Sequence, residues 1–255
     1  MPLAVTGLET GYAGKRVVLG ASLRVGEREI VTVIGANGAG KTTLLKGLFG
    51  ILKVSAGRVE WEGKDSTNRT PSENVRAGIS YSPQGAPVYR SLTVADNLAL
   101  AGFAVRDQGQ VRRNRQRVLD LFPILARRRG QRAGFLSGGE RQMLSLGCAL
   151  VSSPRLIILD EPSGGLAPIV VENVFSTIQN IVAEFGAAVL MVEQNLQQAF
   201  AIAHRVYVMA GGRITGTGTP EEMEKDAALQ EQYFGGAGSN AAETANPKPT
   251  LEPAR

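Results

Sequence analysis

Short apolar runs alternate with longer stretches of helical spacing along most of this chain. Residues 29–34 (EIVTVI) are a brief β-branched run that stops at glycine, the pattern of a buried strand. After a glycine-rich turn, residues 41–52 carry Leu44, Leu45, Leu48 and Ile51 at the spacing of one helix face. The same couple recurs twice: an apolar run at 156–159 precedes a helix over 168–184, and one at 187–192 precedes a helix over 194–203. Upstream, residues 3–6, 16–19 and 21–25 predict short strands separated by glycine turns, and 58–61 and 78–81 predict two more. Residues 92–122 are mostly helical, with breaks at Gly102 and around Gly109, and another helix runs over 140–151. Residues 205–209 and 213–217 predict a hairpin across Ala210-Gly211-Gly212. Thr219 is a good cap for a short helix that opens on Pro220.

Such alternation predicts an α/β fold: a largely parallel sheet with helices on both faces and a helical subdomain inserted at about 85–150. No internal repeat is visible, so residues 1–235 read as one domain. From 236 to 255 the chain is small, polar and Pro-containing, which predicts a disordered tail.

Composition narrows this picture little. No apolar run approaches the roughly 18 residues needed to span a bilayer, and the first residues lack the charged and apolar regions of a signal peptide. The single cysteine, Cys148, excludes an internal disulfide and reads as a small buried thiol. The formal charge of +5 is unevenly spread: residues 106–132 hold nine arginines against two aspartates. A solvated face, or one near an anionic membrane, fits that segment better than a nucleic-acid surface, because no aromatics interleave the arginines.

Three motifs carry the chemistry. Gly35-Ala36-Asn37-Gly38-Ala39-Gly40-Lys41-Thr42 matches the phosphate loop G-x-x-x-x-G-K-[ST], between a buried strand and a helix where such a loop must lie. Its backbone N–H groups cradle phosphates, Lys41 faces the β- and γ-phosphates, Thr42 offers a hydroxyl to Mg²⁺, and Thr43 supports the α-phosphate. Residues 156–161 (LIILDE) are an apolar strand ending in two carboxylates. Asp160 is placed to hold Mg²⁺ and Glu161 to act as general base toward water. Leu136-Ser137-Gly138-Gly139-Glu140-Arg141-Gln142 opens a helix with a hydroxyl and bare glycine amides suited to an anion.

Together, and in their order along the chain, the motifs resemble the Walker A, signature and Walker B motifs of ATP-binding-cassette (ABC) ATPases. The resemblance covers residues 3–235. It implies the P-loop NTPase cassette fold: a mostly parallel core, an antiparallel β subdomain and the helical insertion. It also implies ATP and Mg²⁺ as ligands. Carried over residue by residue, Gln84 in Tyr81-Ser82-Pro83-Gln84 is the glutamine that reaches Mg²⁺ and the attacking water, and Tyr12 stacks on adenine. Leu136, Ser137, Gly138, Gly139 and Glu140 complete the site of a second cassette. The implied partners are that cassette, which is a paralogue or a second copy, two membrane permease subunits and, indirectly, an extracytoplasmic solute-binding protein. The implied place is the cytoplasmic face of the inner membrane, with no nucleic acid involved.

Two positions depart from the general pattern. Gln194, in Val192-Glu193-Gln194-Asn195, stands where the family usually has a histidine near the γ-phosphate, and Ala167 stands where many members have Asp. The only histidine, His204, lies ten positions further on and reads as a surface or capping residue. With Glu161-Pro162-Ser163-x-Gly165-Leu166-Ala167-Pro168, these strings resemble the ATPase subunits of branched-chain amino-acid importers, whose relatives import urea and short-chain amides. Two other classes compete. A non-transport ABC ATPase would carry two fused cassettes or a long coiled-coil insertion, neither of which is visible. A cassette that binds ATP but hydrolyses it weakly is suggested by Gln194 and Ala167, and opposed by the intact Glu161.

Overall fold

The computed structural model describes residues 2–103 and 105–226. By packing, the chain divides into a first unit, Met1–Pro220, and a second, Glu221–Arg255.

The first unit opens on two long antiparallel strands, β1 (Leu3–Tyr12) and β2 (Lys15–Val25). The sequence suggested shorter pieces here. Gly7 and Gly20 do take positive φ, but the strands absorb them as register irregularities and continue. β3 (Ile30–Ile34) is wholly buried and leads through the glycine loop into α1 (Lys41–Phe49). β4 (Val54–Trp61) and the two-residue β5 (Lys64–Asp65) complete an antiparallel sheet in the order β2-β1-β4-β5.

Between β5 and β6 (Ile79–Ser82) lies a helix that the apolar pattern did not reveal, α2 (Pro71–Arg76). Its signal was local: the Thr70 side chain accepts from the Glu73 N–H, and the Glu73 carboxylate accepts from the Thr70 N–H.

The helical insertion comprises α3 (Val94–Ala101), α4 (Gln108–Leu121), α5 (Pro123–Arg127), a 3₁₀ turn at Ala133–Phe135 and α6 (Gly138–Val151). Asp107 caps α4, so Gly109 lies inside a helix rather than at a break. The arginines of this segment are mostly exposed, as a solvated face requires, and two of them also make specific contacts. Arg117 donates to the Glu184 carbonyl at 2.8 Å and stacks 4.1 Å over the Phe185 ring. Arg128 lies 2.7 Å from Glu140.

β7 (Leu156–Asp160) and β8 (Ala188–Val192) flank α7 (Pro168–Asn180). The helix expected to continue to 184 changes to a π turn at Ile181–Phe185, the stretch that receives Arg117. α8 (Leu196–Ile202) starts two residues later than expected, because Asn195 caps it and leaves Gln194 in the preceding loop. β9 (Arg205–Ala210) and β10 (Arg213–Gly218) form the expected hairpin across Gly211-Gly212, both at positive φ. α9 (Pro220–Glu224) leads into the second unit. The expected boundary at 235 and the tail 236–255 lie outside the described residues.

The main sheet has the order β10-β9-β3-β8-β7-β6, parallel except for β10. One hydrophobic core fills the space between the two sheets, where Leu44, Leu45 and Leu48 of α1 join Leu8, Val18, Leu156 and Ile158. The other joins the opposite face of the sheet to α3, α4, α6, α7 and α8. Cys148 packs at the edge of this second core, and burial pushes its thiol up to about 12. Among the described residues no helix is long and apolar enough to cross a membrane.

Candidate functional site

Four neighbouring parallel strands, β3-β8-β7-β6, end along one edge of the main sheet. From β3 that edge receives the loop of residues 35–40, from β8 Glu193 and Gln194, from β7 Asp160 and Glu161, and from β6 Gln84. Strand pairing sets the alignment: Val33 and Asp160 both stand opposite Val192, and Ser82 stands opposite Leu159. Residues far apart in the chain therefore meet at the carboxyl ends of the strands, where open α/β sheets bind ligands.

The glycine loop is built by close approach. A Cβ on Gly35 would lie 2.2 Å from the Met209 carbonyl oxygen, so only glycine fits against the neighbouring strand. Gly40 takes φ 105° as it enters α1, and no side chain caps that helix. The opening N–H groups of α1 are thus left for a ligand. Lys41 is buried. Its Nζ donates to the carbonyls of Gly35 at 2.6 Å and Ala36 at 3.1 Å, folding the side chain back over the loop. Burial pulls the Lys41 pKa below the ordinary lysine value, and the carboxylates of Glu161 and Asp160 oppose that shift. Tyr12, Val17, Asn37, Gly38, Gly40, Lys41, Thr42, Thr43 and Glu161 line a cleft of about 250 Å³. Tyr12 stands at its rim, 45% exposed, with its hydroxyl 3.4 Å from Lys46 Nζ.

Asp160 is buried and accepts two hydrogen bonds, from Thr42 Oγ1 to Oδ1 at 2.8 Å and from Tyr81 Oη to Oδ2 at 3.0 Å. Burial raises its pKa, against the pull of those two donors. Glu161 follows with a left-handed backbone at φ 48°, a conformation that costs a non-glycine residue free energy. Its N–H donates to the Val192 carbonyl at 3.0 Å. Its carboxylate is held from both sides: Gln84 Nε2 donates to Oε2 at 2.6 Å and Gln194 Nε2 to Oε1 at 2.7 Å.

The family model for ABC transporters matches residues 18–164, over half of the chain. The chain belongs to the ABC transporter family. This cassette is 42% identical over 230 residues to a high-affinity branched-chain amino acid transport ATP-binding protein, BraG, of Pseudomonas aeruginosa, covering 90% of this chain and 97% of the relative. It is 36% identical to a probable branched-chain amino acid transport ATP-binding protein, LivF, of Archaeoglobus fulgidus, covering 89% and 96%. A crystal structure of the ADP conformation of an ATP-binding cassette from an ABC transporter superposes with a TM-score of 0.80 at 28% identity, covering 92% of this chain and 98% of that one. The cassette is accordingly an ATP-binding ATPase with the α/β fold expected of it.

The signature residues lie apart from this cleft: none of them lines it. Ser137 caps α6 in a capping box. Its Oγ accepts from the Glu140 N–H at 3.3 Å, and the Glu140 carboxylate accepts from the Ser137 N–H at 2.8 Å. Ser137 and Gly138 are exposed at this helix start, while Gly139 is buried. Leu136 anchors the turn in the core, and a Cβ on Gly139 would lie 2.5 Å from Val170 Cγ1.

Three contributors escaped the reading of the sequence. Tyr81 sits beside the Gln84 motif, but nothing in its spacing showed that it would reach Asp160. Arg128 pairs with Glu140 from a separate element, α5's end against α6's start. Glu193, inside a recognised string, is a buried carboxylate; an acidic residue closing an apolar strand was the available signal. His204 is exposed at the far end of α8, and its Nδ1 accepts from the Ile30 N–H at 3.0 Å, which is a structural role.

Proposed function

We propose that this cassette is the ATP-hydrolysing subunit of an importer for branched-chain and other hydrophobic amino acids, acting at the cytoplasmic face of the membrane. The observation that carries the hydrolytic reading is the Glu161 carboxylate gripped by Gln84 and Gln194 at the mouth of the phosphate loop. A base aimed this way takes the proton of a water attacking the γ-phosphate, while Lys41 and the loop amides hold the phosphates. Thr42, Asp160 and Gln84 would hold Mg²⁺. A buried carboxylate 2.8 Å from a threonine hydroxyl, with a side-chain amide at the end of the adjacent strand, is the oxygen donor set that this cation takes. When bound it neutralises phosphate charge. Tyr12, at the rim of the cleft, supplies a ring for adenine.

The exposed Ser137 and Gly138, outside their own chain's cleft, support a head-to-tail pair in which Ser137, Gly138 and Gly139 close on the partner cassette's nucleotide. Identity to the two branched-chain amino-acid subunits along nearly their whole length supports the importer assignment. The pair would drive two permease subunits fed by an extracytoplasmic binding protein.

The experiment is ATP turnover by the reconstituted complex, with its binding protein, in the presence of leucine, isoleucine and valine, or of urea and acetamide. Stimulation by the amino acids is expected. Stimulation by the amides alone would replace the solute assignment and leave the ATPase assignment standing.

A further inference from the structure

Glu193 is a charged side chain that hydrolysis does not use directly, and it is 1% exposed. Four donors converge on its carboxylate. Ser163 N–H donates to Oε1 at 2.8 Å, and Ser163 Oγ donates to Oε2 at 2.9 Å. The backbone N–H groups of Gln194 and Asn195 donate to Oε2 at 3.0 and 3.4 Å. Among the described residues no cation is paired with it, and burial raises its pKa against the pull of these four donors. A carboxylate buried without a counter-ion is costly, and hydrogen bonds to fixed donors are what offset that cost.

The two loops joined here both carry groups that act on Glu161. Ser163 lies two residues beyond Glu161, and the Glu161 carbonyl accepts from the Gly164 N–H at 3.0 Å. Gln194 is the next residue after Glu193, and its side chain donates to Glu161. One carboxylate thus fixes the distance between the turn that orients the base and the loop that orients the amide on the base. Only an acceptor-only group fits this place. A glutamine of the same shape would turn its NH₂ toward either Ser163 N–H or the Gln194 and Asn195 N–H groups, setting donor against donor.

We infer that Glu193 is a positioning residue for ATP hydrolysis: it ties the Ser163 turn to the Gln194 loop and so holds the Gln194 amide on Glu161. The inference rests on the role proposed above for Gln194, and it adds a residue that acts through Gln194 without touching nucleotide. Phosphate binding, which depends on β3 and α1, does not pass through Glu193.

The test is a double-mutant cycle on the full chain in its assembled complex. ATP turnover and equilibrium ATP binding would be measured for Glu193→Gln, Gln194→Ala and the double variant. Glu193→Gln is expected to lower kcat by about tenfold and to leave the ATP Kd within about twofold. The double variant is expected to be no slower than Gln194→Ala alone, because the two residues act on one contact. Multiplying losses, or a loss of ATP binding in proportion to kcat, would overturn the coupling. A silent Gln194→Ala would instead sink the role of Gln194 itself. If Glu193→Gln does not fold, Ser163→Ala removes a single bond to the same carboxylate. It should lower kcat in the same direction and again be masked by Gln194→Ala; an additive effect would overturn the inference.

Discussion

Gln194 Nε2 donates to Glu161 Oε1 at 2.7 Å, so the residue that stands where the family usually has histidine reaches the carboxylate proposed as the base. The replacement does not empty the position. It puts there a donor that keeps one protonation state across the physiological range. Substituting Gln194→His would bring a titratable donor to the same place, with an ordinary pKa of about 6.5. The ratio of variant to wild-type turnover, measured from about pH 5.5 to 8.5, should then change across a limb near neutrality. A constant ratio would mean that residue 194 does not act on the base.

Asp160 gives a second expectation, about stability against activity. Its pKa in the folded protein is raised by burial, so the folded protein binds the proton more tightly than the unfolded chain does. Stability is then greatest below the unfolded value, about 3.9, and falls as pH rises through the folded value. At neutral pH the ionised carboxylate costs stability. Asp160→Asn can still accept from Thr42 and can donate to Tyr81 Oη, so it removes the charge and keeps both contacts. Calorimetry should show Asp160→Asn melting a few degrees above wild type at about pH 7.5. That advantage should shrink as pH is lowered through the folded pKa, while turnover is lost at every pH. A lower Tm for the variant near neutrality would contradict the burial cost.

Much of this was legible in the sequence where one short string both forms the structure and performs the chemistry. Residues 35–43 announce a phosphate loop and the helix that follows it, and the structure builds them in that order. The string 156–161 announces a buried strand with carboxylates at its edge. What stayed hidden were contacts made by long-range register. Tyr81 meets Asp160 because β6 and β7 pair in parallel, and Glu193 meets Ser163 because β8 lies beside β7. No local pattern encodes which strands are neighbours. The π turn at Ile181–Phe185 was illegible for a similar reason, since its apolar spacing continues that of α7 and its partner Arg117 comes from the helical insertion.

Ala167 is the N-cap of α7, with extended backbone at φ −68° and ψ 148°, Pro168 behind it and no side-chain bond to the helix. An aspartate there would accept from a free N–H in the first turn and face the positive end of the helix dipole. Ala167→Asp should stabilise the cassette by about 1 kcal/mol, a Tm rise of about 2–4 °C for a domain of this size. Thermal unfolding decides this. An unchanged or lower Tm would show that the turn before α7 does not let the side chain cap.

Glu161→Gln in this subunit only, within the assembled complex, is the most direct measurement of whether this site hydrolyses ATP. Gln84 and Gln194 would remain, and so would the phosphate loop, but the proton acceptor would be gone. Turnover should fall by about a hundredfold or more, with ATP binding retained. Wild-type turnover from that complex would contradict Glu161 as the base and leave this cassette a nucleotide-binding partner of another active site.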